Sequence, residues 1–144
     1  MKLLNLIIPF VLLTNAEWLT DFEKAKEVAR EKDQYILLNF SGSDWCGPCI
    51  KMKKEVFETQ LFQDFANTNL VLVRVDFPRL KKNQLEAKQK DHNEKLAERF
   101  NPHGKFPLTI LLDSNGKVIH EWDGYPKMTV EEFVSELRSG THGK

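Results

Sequence analysis

The chain has 144 residues, and 21 Lys+Arg balance 21 Asp+Glu to a formal net charge of zero. With 41% hydrophobic and 29% charged residues it has the makings of one globular domain with a core, not of a disordered chain. The charge balance argues against a nucleic-acid binder working through bulk positive charge, and two cysteines are too few for a disulfide framework.

Residues 1–16 are read as an export signal. Met1-Lys2 is a brief positive start, residues 3–13 are apolar, and Thr14-Asn15-Ala16 is a small-residue cleavage site. The apolar run is shorter than the roughly 20 residues a membrane-spanning helix needs. Export places the protein in the periplasm or otherwise outside the cytoplasm, in a compartment that tolerates disulfides. The remainder divides into one domain, 17–138, and a flexible tail, 139–144.

Within that domain helices and strands alternate. Thr20-Asp21-Phe22-Glu23 has the form of a capping box, and Phe22, Ala25 and Ala29 then share one helical face, ending at Lys32-Asp33. Residues 35–40 are a short apolar run suited to a strand buried on both faces. Ser41-Gly42-Ser43-Asp44 is a loop, and a helix begins at Cys46 or just after it. Val56, Phe57, Leu61 and Phe65 carry the apolar side of that helix, with a break near Thr59-Gln60. Residues 70–76 form a strand of branched aliphatics.

Residues 79–99 hold seven Lys/Arg and four Asp/Glu. The mixed signs describe a solvated helical face rather than a basic patch for an anionic partner. Asp91-His92-Asn93-Glu94 can cap a helix that turns Leu96 and Phe100 inward. Residues 108–112 are a strand, Asp113-Ser114-Asn115-Gly116 a hairpin turn and 117–122 its partner strand. Asp123-Gly124-Tyr125-Pro126 ends the hairpin. Residues 129–138 are a last amphipathic helix with Val130, Phe133, Val134 and Leu137 inward.

The chemistry lies in Trp45-Cys46-Gly47-Pro48-Cys49, which contains both cysteines of the chain. Two intervening residues let the sulfurs meet across the first turn of a helix. There the free N–H groups and the positive end of the dipole favour an anion. The Cys46 thiol is thereby lowered below the free value of about 8.5, and the thiolate is the nucleophile of disulfide exchange. Cys46 is expected to be exposed and Cys49 shielded. Gly47 keeps the first sulfur accessible, and Pro48 fits a helix start because it has no N–H to lose. Half a zinc site would need two more ligands, and His92, His103, His120 and His142 show no ligand spacing. Haem attachment needs His after the second Cys, where Ile50 stands. A purely structural disulfide over so small a loop would stabilise little.

The motif is identical to the W-C-G-P-C of thioredoxins, and the element order across 17–138 resembles that family. The resemblance implies an α/β thioredoxin-like fold: a central mixed β-sheet flanked by helices, with a cis-proline beside the C-x-x-C helix. Phe106-Pro107 falls where the family has that cis-proline, and Gly124 where it has a glycine near the site. Asn39 to Cys46, with its S-G-S-D-W-C, is similar to exported thioredoxin-like proteins of Bacteroidetes-type bacteria. The chain departs from thioredoxins at Asn39, where they carry a buried Asp, in its longer charged segment 78–102, and at Leu108.

The resemblance implies a thiol–disulfide oxidoreductase with catalytic Cys46 and Cys49, reducing disulfides of exported proteins. Its partners would be disulfide-containing proteins and a thiol electron donor, possibly a membrane-embedded one. No nucleic acid, no metal and no cofactor beyond the cysteine pair is implied, and the protein is expected to be a monomer. Trp45, Gly47, Pro48, Phe106, Pro107 and Gly124 are the expected substrate groove. For Trp45 two readings stay open, shielding the pair and contacting substrate, or packing alone. For Phe106 they are lining the groove or filling space. Trp18 and Trp122 are read as packing residues, Asp44 as a solvated loop residue and Asp76 as a turn former. The competing function is a non-enzymatic binding or chaperone module that uses the Trp45, Phe106 and Pro107 surface.

Overall fold

The structure is a computed structural model that describes residues 14–142. Residues 1–13 of the expected export signal and the last two of the expected tail lie outside the described residues. The elements are β1 (Trp18–Leu19), α1 (Phe22–Lys32), β2 (Tyr35–Ser41), α2 (Gly47–Met52), α3 (Gln60–Asn69), β3 (Leu70–Asp76), α4 (Ala87–Phe100), β4 (Leu108–Leu112), β5 (Val118–Asp123) and α5 (Val130–Gly140). A π-helical turn, Lys53–Phe57, prolongs α2, and a 3-10 turn, Lys81–Asn83, precedes α4.

The sheet order is β1-β3-β2-β4-β5. β3 runs parallel to β1 and β2, whereas β4 is antiparallel to β2 and β5. This is the mixed sheet that the resemblance implies. β2 lies at its centre, and all seven of its residues are buried. Period-two alternation sends its side chains to opposite cores. Tyr35 and Leu37 join α2, α3 and α5 in a core around Phe57, Phe62 and Phe133. Ile36, Leu38 and Phe40 join α1 and α4 in a second core around Phe22, Leu96 and Phe100.

Several local expectations are corrected. The N-cap of α1 is Asp21, whose Oδ1 accepts the Lys24 N–H at 3.0 Å, so the Thr20–Glu23 capping box is not formed. Asp21 itself has extended backbone dihedrals, which leaves Thr20 outside the helix. The break after α2 falls as expected, with the Thr59 hydroxyl accepting the Phe62 N–H. It rotates α3 so that Phe62 and Phe65 are inward, while Leu61 is 41% exposed. Helix α4 begins a turn earlier than expected, at Ala87, and Asp91 to Glu94 lie inside it. Asn93 is not a cap. Its Nδ2 donates to the Asp76 carbonyl at 3.0 Å, and its Oδ1 accepts from Gln89 Nε2 at 2.8 Å.

The capping box expected of a helix start is found instead at α5, between Thr129 and Glu132. That helix runs to Gly140, so Ser139 and Gly140 are not tail. A Cβ at Gly140 would lie 2.6 Å from Leu111 Cδ2, which shows how closely the helix end packs on β4. Strand β1 went unforeseen because two residues carry no periodicity. Its Trp18 pairs with Leu72 and has its ring centroid 4.1 Å from the guanidinium carbon of the half-buried Arg74.

Candidate active site

The loop after β2 turns sharply before the cysteines: the Cys46 N–H donates to the Gly42 carbonyl at 2.9 Å. Cys46 is the N-cap of α2, Gly47 and Pro48 open the helix, and the Cys46 Sγ accepts the Cys49 N–H at 3.2 Å. Cys46 and Cys49 are joined by a disulfide with their Cα atoms 5.2 Å apart. A sulfur in the N-cap position takes one of the backbone donors that a helix start leaves free. The same donor and the helix dipole favour a thiolate there after reduction. The expected contrast in exposure is corrected for the oxidised pair: Cys46 is 4% and Cys49 3% exposed. Bonding to Cys49 turns the Cys46 sulfur over the first helical turn rather than outward.

The Phe106–Pro107 bond is cis, as the resemblance implies. Phe106 meets Trp45 edge-to-face at 5.4 Å between ring centroids, which ties it to the residue before Cys46. Gly124, at φ +76°, donates its N–H to the Pro107 carbonyl at 2.8 Å. That backbone conformation is open to glycine at little cost. Trp45, Phe106, Pro107 and Gly124 are thus linked in one chain of contacts that starts at the residue before Cys46. The Gly47 Cβ direction is open space, in keeping with an accessible motif.

Trp45 is held from several sides. Its Nε1 donates to the Phe77 carbonyl at 2.6 Å, and the Arg79 guanidinium lies 3.6 Å from its ring centroid. Phe77 in turn meets Phe106 edge-to-face at 5.6 Å. Gly42 lies directly against the indole, since a Cβ there would fall 2.6 Å from Trp45 Cζ2. Phe77, Arg79 and Gly42 were not found by sequence reasoning. Phe77 and Arg79 lie more than thirty positions along the chain from Trp45.

Two acidic residues have more specific roles than expected. The Asp76 carboxylate accepts the Ser43 N–H at 2.9 Å and the Ser43 hydroxyl, pinning the loop before the motif to the end of β3. Asp44 accepts the N–H groups of Arg79 and Leu80 at 2.9 and 3.0 Å, and the Asn83 amide at 3.0 Å. These donors, the Arg79 N–H foremost and then the Asn83 amide, hold its carboxyl below the usual 3.8. Asp44 is therefore a clamp on segment 79–83 rather than a solvated residue.

Beneath the site, Asn39 is 2% exposed and donates from Nδ2 to Thr109 Oγ1 at 3.0 Å. On the other side of the motif, the Tyr125 hydroxyl donates to Glu55 at 2.6 Å, which holds the phenol up to about 12. Among the described residues no group of three or more His, Cys, Asp or Glu is placed to hold a metal ion.

A mixed five-stranded sheet, a cis-proline and a disulfide at a helix start define the thioredoxin fold with its redox pair. The family model of the thioredoxin-like domain matches residues 22–141, and the chain belongs to this family. It is 32% identical over 125 residues to the disulfide bond reductase DsbH of Chlamydia pneumoniae, covering 87% of this chain and 72% of that protein. The solved structure of a DsbH oxidoreductase superposes with a TM-score of 0.80 at 30% identity, over 91% of this chain and 88% of that one. A thioredoxin from Thermus thermophilus shares the fold, with a TM-score of 0.66 at 16% identity over 88% of this chain and 87% of that one. Fold, cysteine pair and homology together make the protein a thiol–disulfide oxidoreductase of this family. The finer resemblance to Bacteroidetes-type exported proteins rests on the residues before Cys46 alone.

Proposed function

We propose that the protein reduces disulfides in exported proteins, with Cys46 as nucleophile and Cys49 as resolving thiol. The observation that carries this is the Cys46 sulfur at the N-cap of α2, accepting the Cys49 N–H. In the reduced protein the Cys46 thiolate attacks one sulfur of a target disulfide, and the other target sulfur leaves as thiolate. The Cys49 thiolate then attacks Cys46 Sγ and expels the first target sulfur. The target gains two electrons and the pair becomes the Cys46–Cys49 disulfide. A thiol donor, membrane-embedded if the protein is exported, restores the dithiol. The pair is the whole redox centre in this reading, and the protein acts as a monomer.

The linked surface of Trp45, Phe106, Pro107 and Gly124, with Gly47 and Pro48 at its centre, would seat an extended target segment. Reduction rather than oxidation is supported by the Gly47-Pro48 dipeptide, which resembles the reducing branch of the family, and by the similarity to a protein named a disulfide bond reductase. Export is supported by the composition of residues 1–16. A glutathione redox titration of the purified domain tests the direction, and a potential as oxidising as a disulfide-forming catalyst would overturn it. Cys46→Ser should abolish turnover, and Cys49→Ser should trap mixed disulfides with targets. Retained function without either cysteine would favour the binding-module reading instead. Protein made in a bacterial host with its own N-terminus should start near Glu17, and an intact Met1 would overturn export alone.

A further inference from the structure

Trp45, the residue before Cys46, has a cation lying on its ring. The Arg79 guanidinium carbon is 3.6 Å from the ring centroid, within the distance at which an aromatic face attracts a cation. The ring beneath it is fixed by the Phe77 carbonyl and by Phe106. The Arg79 backbone is fixed independently, through the hydrogen bond from its N–H to Asp44 Oδ1. Asp44 directs both oxygens to the backbone N–H groups of 79 and 80 and to the Asn83 amide. Among the described residues no carboxylate forms an ion pair with the Arg79 guanidinium. The residue is exposed, and the next two cations along the chain, Lys81 and Lys82, are exposed as well.

A guanidinium stacked on an aromatic face keeps its in-plane N–H donors at the ring's edge, and that fork matches a carboxylate. We infer that Arg79 is a specificity-determining residue. Its guanidinium, presented on Trp45, favours target segments that carry an Asp or Glu side chain beside the disulfide cysteine. This rests on the reductase reading above. The charged stretch 79–99 is thus not uniformly a solvated helical face. Its first cation is delivered to the site, while Lys95 is paired with Asp91 on the outer side of α4.

The test uses two disulfide-bonded peptides identical except for Glu or Lys next to one cysteine, and a third with Gln there. The wild-type protein should reduce the Glu peptide with a kcat/KM about fivefold above the Gln peptide, carried by KM, which is the upper end for an exposed ion pair. The difference should shrink at high salt. Arg79→Gln should level the Glu and Gln peptides, bringing the ratio of their kcat/KM values to about one. Arg79→Lys should restore part of the preference. Arg79→Glu should reverse it in favour of the Lys peptide, which a purely structural role in holding Trp45 would not do. Equal reduction of Glu and Gln peptides by the wild type, or an unchanged order in Arg79→Glu, would overturn the inference and leave the reductase reading intact. Failure to reduce any peptide would overturn both.

Discussion

Asn39 and Thr109 face each other across β2 and β4, and the Asn39 amide donates to the Thr109 hydroxyl at 3.0 Å in a buried setting. Both side chains lie on the face of the sheet shared with Met52, whose sulfur is 4.0 Å from the same hydroxyl. Where thioredoxins carry an acid, this chain has a neutral pair that neither gives nor takes a proton. Asn39→Ala should cost about 2–3 kcal/mol, from a lost buried hydrogen bond and the cavity left behind. Denaturant unfolding would measure it.

Asn39→Asp should be pH-sensitive in a defined direction. Burial would raise the folded-state pKa of that carboxyl above its unfolded value of about 3.9. Stability relative to wild type should then be highest at acid pH and fall as pH rises from about 4 through the folded pKa, because the unfolded chain releases its proton first. Thermal melts across that range would check this, and a flat difference from wild type would contradict it.

Gly42→Ala should disturb the site without touching a cysteine. The new methyl would lie 2.6 Å from Trp45 Cζ2, and the indole is tied to the Phe77 carbonyl. The ring or the loop must move, at a cost of about 1–3 kcal/mol. Turnover should fall and the near-ultraviolet circular dichroism of the indole should change. An unaltered spectrum with full activity would refute this account of Gly42.

The Asp44 clamp should loosen in acid. Its folded-state carboxyl is held below 3.8, first by the Arg79 N–H. The contribution is therefore present above the unfolded pKa and is lost as pH falls from 3.8 through the lower folded value. Asp44→Ala should reproduce that loss at neutral pH, as faster amide exchange at Arg79 and Leu80 than in wild type. Unchanged exchange would show that the segment is held otherwise.

At alkaline pH the Tyr125–Glu55 contact governs. The Glu55 hydrogen bond raises the phenol from 10 to about 12, so its contribution is complete below 10 and disappears as pH rises through about 12. Glu55→Gln should bring the tyrosinate absorbance of Tyr125 back towards 10. Persistence of the high value in the variant would assign the shift to burial instead.

The sequence by itself determined the elements whose signals are local. Residues 70–76 and 108–112 are strands from end to end because runs of branched and large aliphatics suit a strand covered on both faces. The C-x-x-C at a strand-to-helix junction carried its chemistry in its spacing, and the spacing of Val130, Phe133, Val134 and Leu137 marked the last helix. Only the tertiary structure decided which polar groups meet. Asp44, Asp76, Asn93 and Arg79 each find partners many positions away. Asp91 to Glu94 have the form of a cap, but they lie inside α4, where the Asn93 amide serves the Asp76 carbonyl. A two-residue strand such as β1 exists because β3 offers it an edge. Helical and strand periods repeat over a few residues and can be read locally. A hydrogen bond or a stacked cation depends on where the folded chain brings its second partner, and no local period records that.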